Sequence, residues 1–336
     1  MSSYPPNRPL KLQLRALLAT LAMTASTLLL TLPSLVWAHP SGLPALRRRA
    51  DYFVATSDDW LFWDFHPSIV IGILAMTALY TLGITRWRKR YGWADEIDKG
   101  RAALFYSSMV LLWFTLDGPL HHLSDELLFS AHMIQHLVLQ LVWAGMFVLS
   151  MPGWLLRPLV KNPRVRRLAV WLTRPTQAFI LYNAVTWVWH FPAMYNLALE
   201  AHEFHIMEHL LFMSTAVIFY WPLLSPLEEV PRPTHGPLLL YVFANMAAMK
   251  SLGVFISMQN EVIYTYYLKA PRVWGLTAIS DQQIGGMLMW LPGGLILWGG
   301  LGYVFFQWAM KGTPARGTTG IAHIDAARAA RAQELS

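Results

Sequence analysis

Apolar positions in this chain come in long unbroken blocks, separated by short polar stretches that carry proline. Seven blocks follow residue 66: Pro67 to Thr85, Ala102 to Leu116, Leu127 to Met151, Thr176 to Tyr195, Phe204 to Leu224, Pro237 to Ser257 and Gln283 to Met310. Each approaches the ~20 residues a helix needs to cross the hydrocarbon of a bilayer. Pro67, Pro119, Pro152, Pro192 and Pro237 fall at block ends, where a chain enters or leaves a helix. The expected fold is therefore an all-α membrane protein, a seven-transmembrane-helix bundle over residues 67–310. Residues 1–38 read as a signal peptide. Arg8, Lys11 and Arg15 precede an apolar core from Ala16 to Leu32, and Val36-Trp37-Ala38 puts small residues at the −1 and −3 positions. An uncleaved signal anchor is the alternative. Residues 39–66 form a polar N-terminal segment expected in the periplasm, and residues 311–336 a Gly-, Ala-, Thr- and Arg-rich tail expected in the cytoplasm.

Charge sets the expected orientation. The loop after the first block holds Arg86, Arg88, Lys89, Arg90, Lys99 and Arg101, and the loop after the third holds Arg157, Lys161, Arg164, Arg166, Arg167 and Arg174. The loops after the second and fourth blocks hold no Lys or Arg. The positive-inside rule then places the mature N-terminus outside and the C-terminus in the cytoplasm of a bacterial inner membrane. The net charge of +7 belongs to these loops, so no nucleic-acid partner is expected; the lipid bilayer is the expected environment. The chain has no cysteine, which excludes disulfides and thiolate metal sites.

Candidate chemistry comes from polar residues inside the apolar blocks. His132 and His136 in the third block, and His205 and His209 in the fifth, are i, i+4 pairs, each on one helical face. With the expected orientation both pairs start from the outer membrane face, His132 and His136 roughly 8 to 15 Å below it at 1.5 Å per residue. His190 ends the fourth block with Met194 at i+4, and Met213 continues the His205/His209 stripe. Ionisable groups in a membrane helix are costly and face a bundle interior or a functional site. Imidazole with thioether and no thiolate suits copper in either oxidation state, with zinc as the alternative. The expected metal ligands are His132, His136, His190, His205, His209, Met194 and Met213. Possible additions are His121 and His122 in the loop after the second block, His202, Asp281, and His39, which a cleaved chain would expose beside its N-terminal amine. Lys250, also in an apolar block, is expected to pair with Glu208 or Asp281. The glycines of Asp281-Gln282-Gln283-Ile284-Gly285-Gly286 permit close helix contact. No nucleotide-binding, serine-hydrolase or zinc-protease motif is present.

The strings FSAHMIQHLVL, WHFPAMYNLAL, EHLLFMSTAVIFYWPLL and DQQIGGMLMWLPGG, in that order between about Trp60 and Trp308, resemble the CtaG-type cytochrome c oxidase assembly factors. The resemblance implies a seven-helix bacterial plasma-membrane protein, not an enzyme, that helps mature haem–copper oxidases, with their subunits as partners and an implied role in copper delivery. It points to His132, His136, His190, His205, His209 and Asp281 as motif positions. Val142-Trp143-Ala144-Gly145 departs from it, standing where the family is expected to carry prolines. Two further readings stay open on the residues alone. One is a membrane cytochrome with haem b held between the two histidine pairs. The other is a copper permease, which would require polar groups through the inner leaflet as well.

Overall fold

The computed structural model describes Trp63 and residues 65–310. The expected signal peptide, His39, most of the 39–66 segment and the expected tail lie outside the described residues. All regular structure among the described residues is helical. We label the helices α1 (Pro67–Tyr91), α2 (Lys99–Leu127), α3 (Phe129–Ser150), α4 (Gly153–Val160), α5 (Pro163–Leu172), α6 (Pro175–Trp189), α7 (Pro192–Glu200), α8 (His202–Leu224), α9 (His235–Ser257), α10 (Ala278–Trp290) and α11 (Pro292–Met310).

Six spans are long and apolar enough to cross a membrane: α1, α2, α3, α8, α9, and α10 continuing through Leu291 into α11. Their ends fall within a few residues of the apolar blocks, apart from α1 and α2, which run on into the polar stretches beyond theirs. The fourth block differs. It folds as α6, a turn at His190-Phe191, and α7. Pro192 occupies the first turn of α7, where its fixed φ and missing N–H start a helix and cannot continue one. At 15 residues α6 is about 22 Å long, short of a ~30 Å hydrocarbon core.

Local sequence explains the other boundaries. Asp98 caps α2, its carboxylate accepting the Arg101 backbone N–H at 3.0 Å. Gly92 ends α1 at φ +60, a left-handed conformation that glycine adopts without a Cβ penalty. Gly118, with extended ψ, and Pro119 bend α2 near its end. In α3 a π-helical stretch, Val138–Trp143, shifts the register below the histidines.

The arrangement centres on α3. It packs against α10, against α2 and against α8, while α9 bridges α6, α10 and α11. The apolar window of α3 is 61% buried, against 17% to 44% for the other spans, so α3 is the interior helix. Close approach of α9 and α10 depends on two glycines. A Cβ on Gly286 would stand 2.6 Å from the Ser257 nitrogen, and one on Gly253 2.9 Å from the Gly286 carbonyl oxygen, which bears out the close contact expected of the α10 glycines. The end of the bundle that holds Ser150 and Leu224 is clasped by arginines. Arg101 donates to the Leu149 and Met151 carbonyls, each at 2.9 Å, and Arg232 to the Ser225 carbonyl at 2.8 and 3.1 Å, so both cations meet the negative end of a helix.

The charge alternation leads to a specific expectation for orientation. A reporter active only outside the cytoplasm should work when fused at Gly118 or Ala201 and fail at Gly92 or Asn162. The reverse pattern would invert the bundle and place the histidine end toward the cytoplasm.

Candidate metal centre

The opposite end of the bundle gathers polar groups from four helices. From α3 come His132 and His136, which are 0% and 3% exposed; from α8 come His205, Glu208 and His209; α2 supplies His121 and Asp125; His190 follows α6. Helical spacing stacks each pair. The His132 and His136 rings lie 4.1 Å apart between centroids, and those of His205 and His209 4.5 Å. The two pairs face each other across the interior, with His132 to His205 at 5.6 Å and His136 to His209 at 5.5 Å. His190 stands 6.0 Å from His136.

Two carboxylates complete the cluster. Asp125 Oδ2 lies 3.2 Å from His205 Nδ1 and 3.5 Å from His121 Nε2. Glu208 Oε1 lies 3.9 Å from His136 Nε2. Ligand atoms of Asp125, His132 and His205 all come within 4.8 Å of one another, as do those of His132, His136 and Glu208. Sequence reasoning missed both acids as part of the centre.

The hydrogen bonding around the cluster is uneven. Its periphery is satisfied. The Gln135 amide donates to the Thr115 carbonyl at 2.9 Å and reaches His121 Nδ1 at 3.0 Å, while its oxygen accepts from Ser124. His190 Nδ1 lies 2.7 Å from the Thr186 carbonyl, which only accepts, so Nδ1 carries the proton and Nε2 presents a bare lone pair. Metal-bound histidines are commonly oriented in this way. The centre is not satisfied. Both ring nitrogens of His132 and of His136, Nε2 of His190, Nδ1 of His209 and both oxygens of Glu208 are buried without a hydrogen-bond partner among the described residues. Buried polar atoms are almost always paired, and each orphan costs on the order of 1–3 kcal/mol. A metal ion is the kind of group that these neutral nitrogens and carboxylates fit.

The remaining expected ligands have other surroundings. Asp281 accepts the Phe129 N–H at 2.8 Å, the Ser130 N–H at 3.0 Å and the Ser130 hydroxyl at 2.5 Å, and so caps the start of α3. Met194 packs against Trp189, Ala198 and Phe212. Met213 packs against the main apolar core and lines a cavity of about 200 Å³ between α1, α2 and α8. His202, exposed, lines the same cavity, and His122 is half-buried in the last turns of α2. That cavity reaches His121, His205 and His209. Lys250 makes no ion pair among the described residues. Its ammonium lies 5.9 Å from the Trp298 ring centroid on α11, because α9 turns it away from α8 and from Asp281.

An aromatic lid from the 258–277 loop closes the end of the centre. Tyr264 donates to the His190 carbonyl at 2.9 Å and stacks on Phe129, with ring centroids 4.6 Å apart. Tyr267 donates to the Ser124 carbonyl at 2.7 Å and accepts from Tyr195 at 3.2 Å. Burial pushes the Tyr267 hydroxyl above its usual range.

The family model described as cytochrome c oxidase caa3 assembly factor matches residues 78–311. Uncharacterized proteins from Mycobacterium bovis and Mycobacterium tuberculosis are each 25% identical to the chain over 246 residues. These matches cover 68% of this chain and 36% of each mycobacterial protein, so the chain spans about a third of the length of the curated relatives it matches. No solved structure matches the chain. Spanning most of its length and all of the histidine centre, the family match establishes that this membrane protein belongs to the CtaG family of caa3-type cytochrome c oxidase assembly factors.

Proposed function

We propose that the protein binds copper at the buried histidine centre and passes it to a haem–copper oxidase during assembly, without catalysing a reaction of its own. The observation that carries this reading is the concentration in one cluster of eight buried ring nitrogens and carboxylate oxygens without a hydrogen-bond partner among the described residues, on His132, His136, His190, His209 and Glu208, whereas other such atoms, as on Gln140, Trp143 and Trp290, are scattered singly. His132, His136, His205, Asp125 and Glu208 would supply the ligands, with His190 and His209 beside them. Bound there, copper would be kept from adventitious ligands and released by ligand exchange. A centre with no thiolate favours that exchange, because a recipient can offer stronger donors. The orientation expected from Lys and Arg puts this end of the bundle at the periplasmic face, where a recipient oxidase domain would be met.

Ring packing favours an ion over a macrocycle. Phe212 packs on His136 and Tyr195 on His132, with ring centroids 4.6 and 5.2 Å apart, so aromatic side chains fill the space beside the α3 rings that a macrocycle would take. The interior toward the arginine-clasped end is mostly apolar, lined by Leu139, Leu141, Phe219 and Met246, and the Asn183–Asn245 hydrogen bond at 2.8 Å is self-satisfied. Delivery at one face suits this interior better than permeation. The test is metal analysis and an absorption spectrum of the purified protein. Bound copper without a Soret band is expected; a Soret band with stoichiometric haem would overturn the reading in favour of a membrane cytochrome.

A further inference from the structure

We infer that the centre has two metal stations that share His132, one formed by Asp125, His132 and His205 and the other by His132, His136 and Glu208, and that it holds two copper ions per chain. The inference rests on the copper-binding reading above and goes beyond it in number and place. Each station is a pair of imidazoles with one carboxylate, its ligand atoms within 4.8 Å of one another. Ligands on a single ion sit about 2.0–2.2 Å from it, so donors of one ion lie roughly 3–4 Å apart. Each station needs only a small closure to reach that spacing. Asp125 and Glu208 fall in different groups, so no single ion position takes both carboxylates without a larger movement of α2 or α8.

Charge leads to the same division. Neither carboxylate pairs with Lys or Arg among the described residues; Asp125, only partly buried, accepts from the Ser124 hydroxyl at 2.8 Å and faces His121 and His205, and Glu208 faces His136. A buried carboxylate stays ionised only beside a cation or a full set of donors. Asp281 shows the second solution, with three donors on its oxygens. Glu208, 1% exposed and with both oxygens lacking a hydrogen-bond donor, has no such set, and a metal ion beside it would let it stay ionised. One copper ion beside each carboxylate offsets each charge locally. His132 stands between the groups with both ring nitrogens unpartnered; a neutral imidazole has a single lone pair, so to serve both ions at once His132 releases its N–H proton to solvent as the second ion binds and bridges the two as imidazolate. The stations also differ in access. His205 lines the cavity between α1, α2 and α8, whereas His132, His136 and Glu208 do not, so the Asp125 station is the entrance and the Glu208 station the interior position.

The test is copper stoichiometry of the full chain in detergent, loaded with excess copper, desalted and assayed by mass spectrometry. Two copper ions per chain are expected for the wild type, one for Glu208→Gln, one for Asp125→Asn and fewer than one for His132→Ala. His136→Ala and His205→Ala repeat the one-ion result for each station if an amide variant fails to accumulate. A wild type that saturates at one ion would overturn the two-station inference and leave the copper-binding reading standing. A wild type that binds none would overturn both. Two ions in the wild type with both lost in Glu208→Gln and in Asp125→Asn would also overturn it, since the carboxylates would then serve one indivisible site.

Discussion

A protein carrying His132→Ala together with His136→Ala is expected to purify with less than about a tenth of the wild-type copper, while its level in the membrane stays within roughly twofold of normal. Both residues project from α3, the interior helix, and every three-donor group in the centre contains at least one of them. Altering the surroundings of a metal ligand already costs about 10- to 100-fold in affinity, and removing two ligands costs more. The effect on folding is expected to be smaller. The four ring nitrogens removed have no hydrogen-bond partners among the described residues, so no new orphan is created on a neighbour except where Glu208 loses its contact with His136. A cavity remains, at a cost of a few kcal/mol at most. His235→Ala, at the opposite end of α9, is the control and should leave copper unchanged. Copper retained in the double variant would remove α3 from the site.

Much of this centre is legible in the sequence. His132/His136 and His205/His209 stand out because a polar residue in a lipid-length apolar run has to face inward, and i, i+4 spacing fixes both to one face. That the two faces meet is tertiary information, set by the packing of α8 on the far half of α3. Asp125 was hidden for a different reason. It lies in a polar stretch that reads as a surface loop, and it enters the site because α2 continues through π-helical turns past Pro119. Glu208 had a signal that was read the wrong way. At i+3 from His205 and next to His209 it shares their buried stripe, but charge pairing with Lys250 offered a simpler account. The structure separates them because Lys250 faces α11. The break in the fourth block was signalled by Pro192, two residues after His190, and it leaves His190 at a helix end where its ring can turn toward His136. The role of Asp281 as a cap was out of reach, since its partners on α3 are about 150 residues away.

A strain lacking this gene is expected to make oxidase subunits that keep their haem but lack copper and activity, with partial rescue by added copper. On the proposed reading, a site of imidazoles and carboxylates at one end of the bundle would hold copper where a recipient can reach it. Without that site the oxidase depends on free copper, which binds adventitiously before it reaches a buried metal centre. The proposed copper role leaves haem insertion untouched, so copper and haem should separate. The double variant His132→Ala, His136→Ala should reproduce the defect although the protein is present.

The most direct test is the copper-to-haem ratio of the oxidase purified from the deletion strain, measured beside oxidase from the same strain carrying the wild-type gene. A ratio well below that of the complemented strain, with activity reduced in proportion, is the predicted result. A normal ratio with full activity would contradict copper delivery.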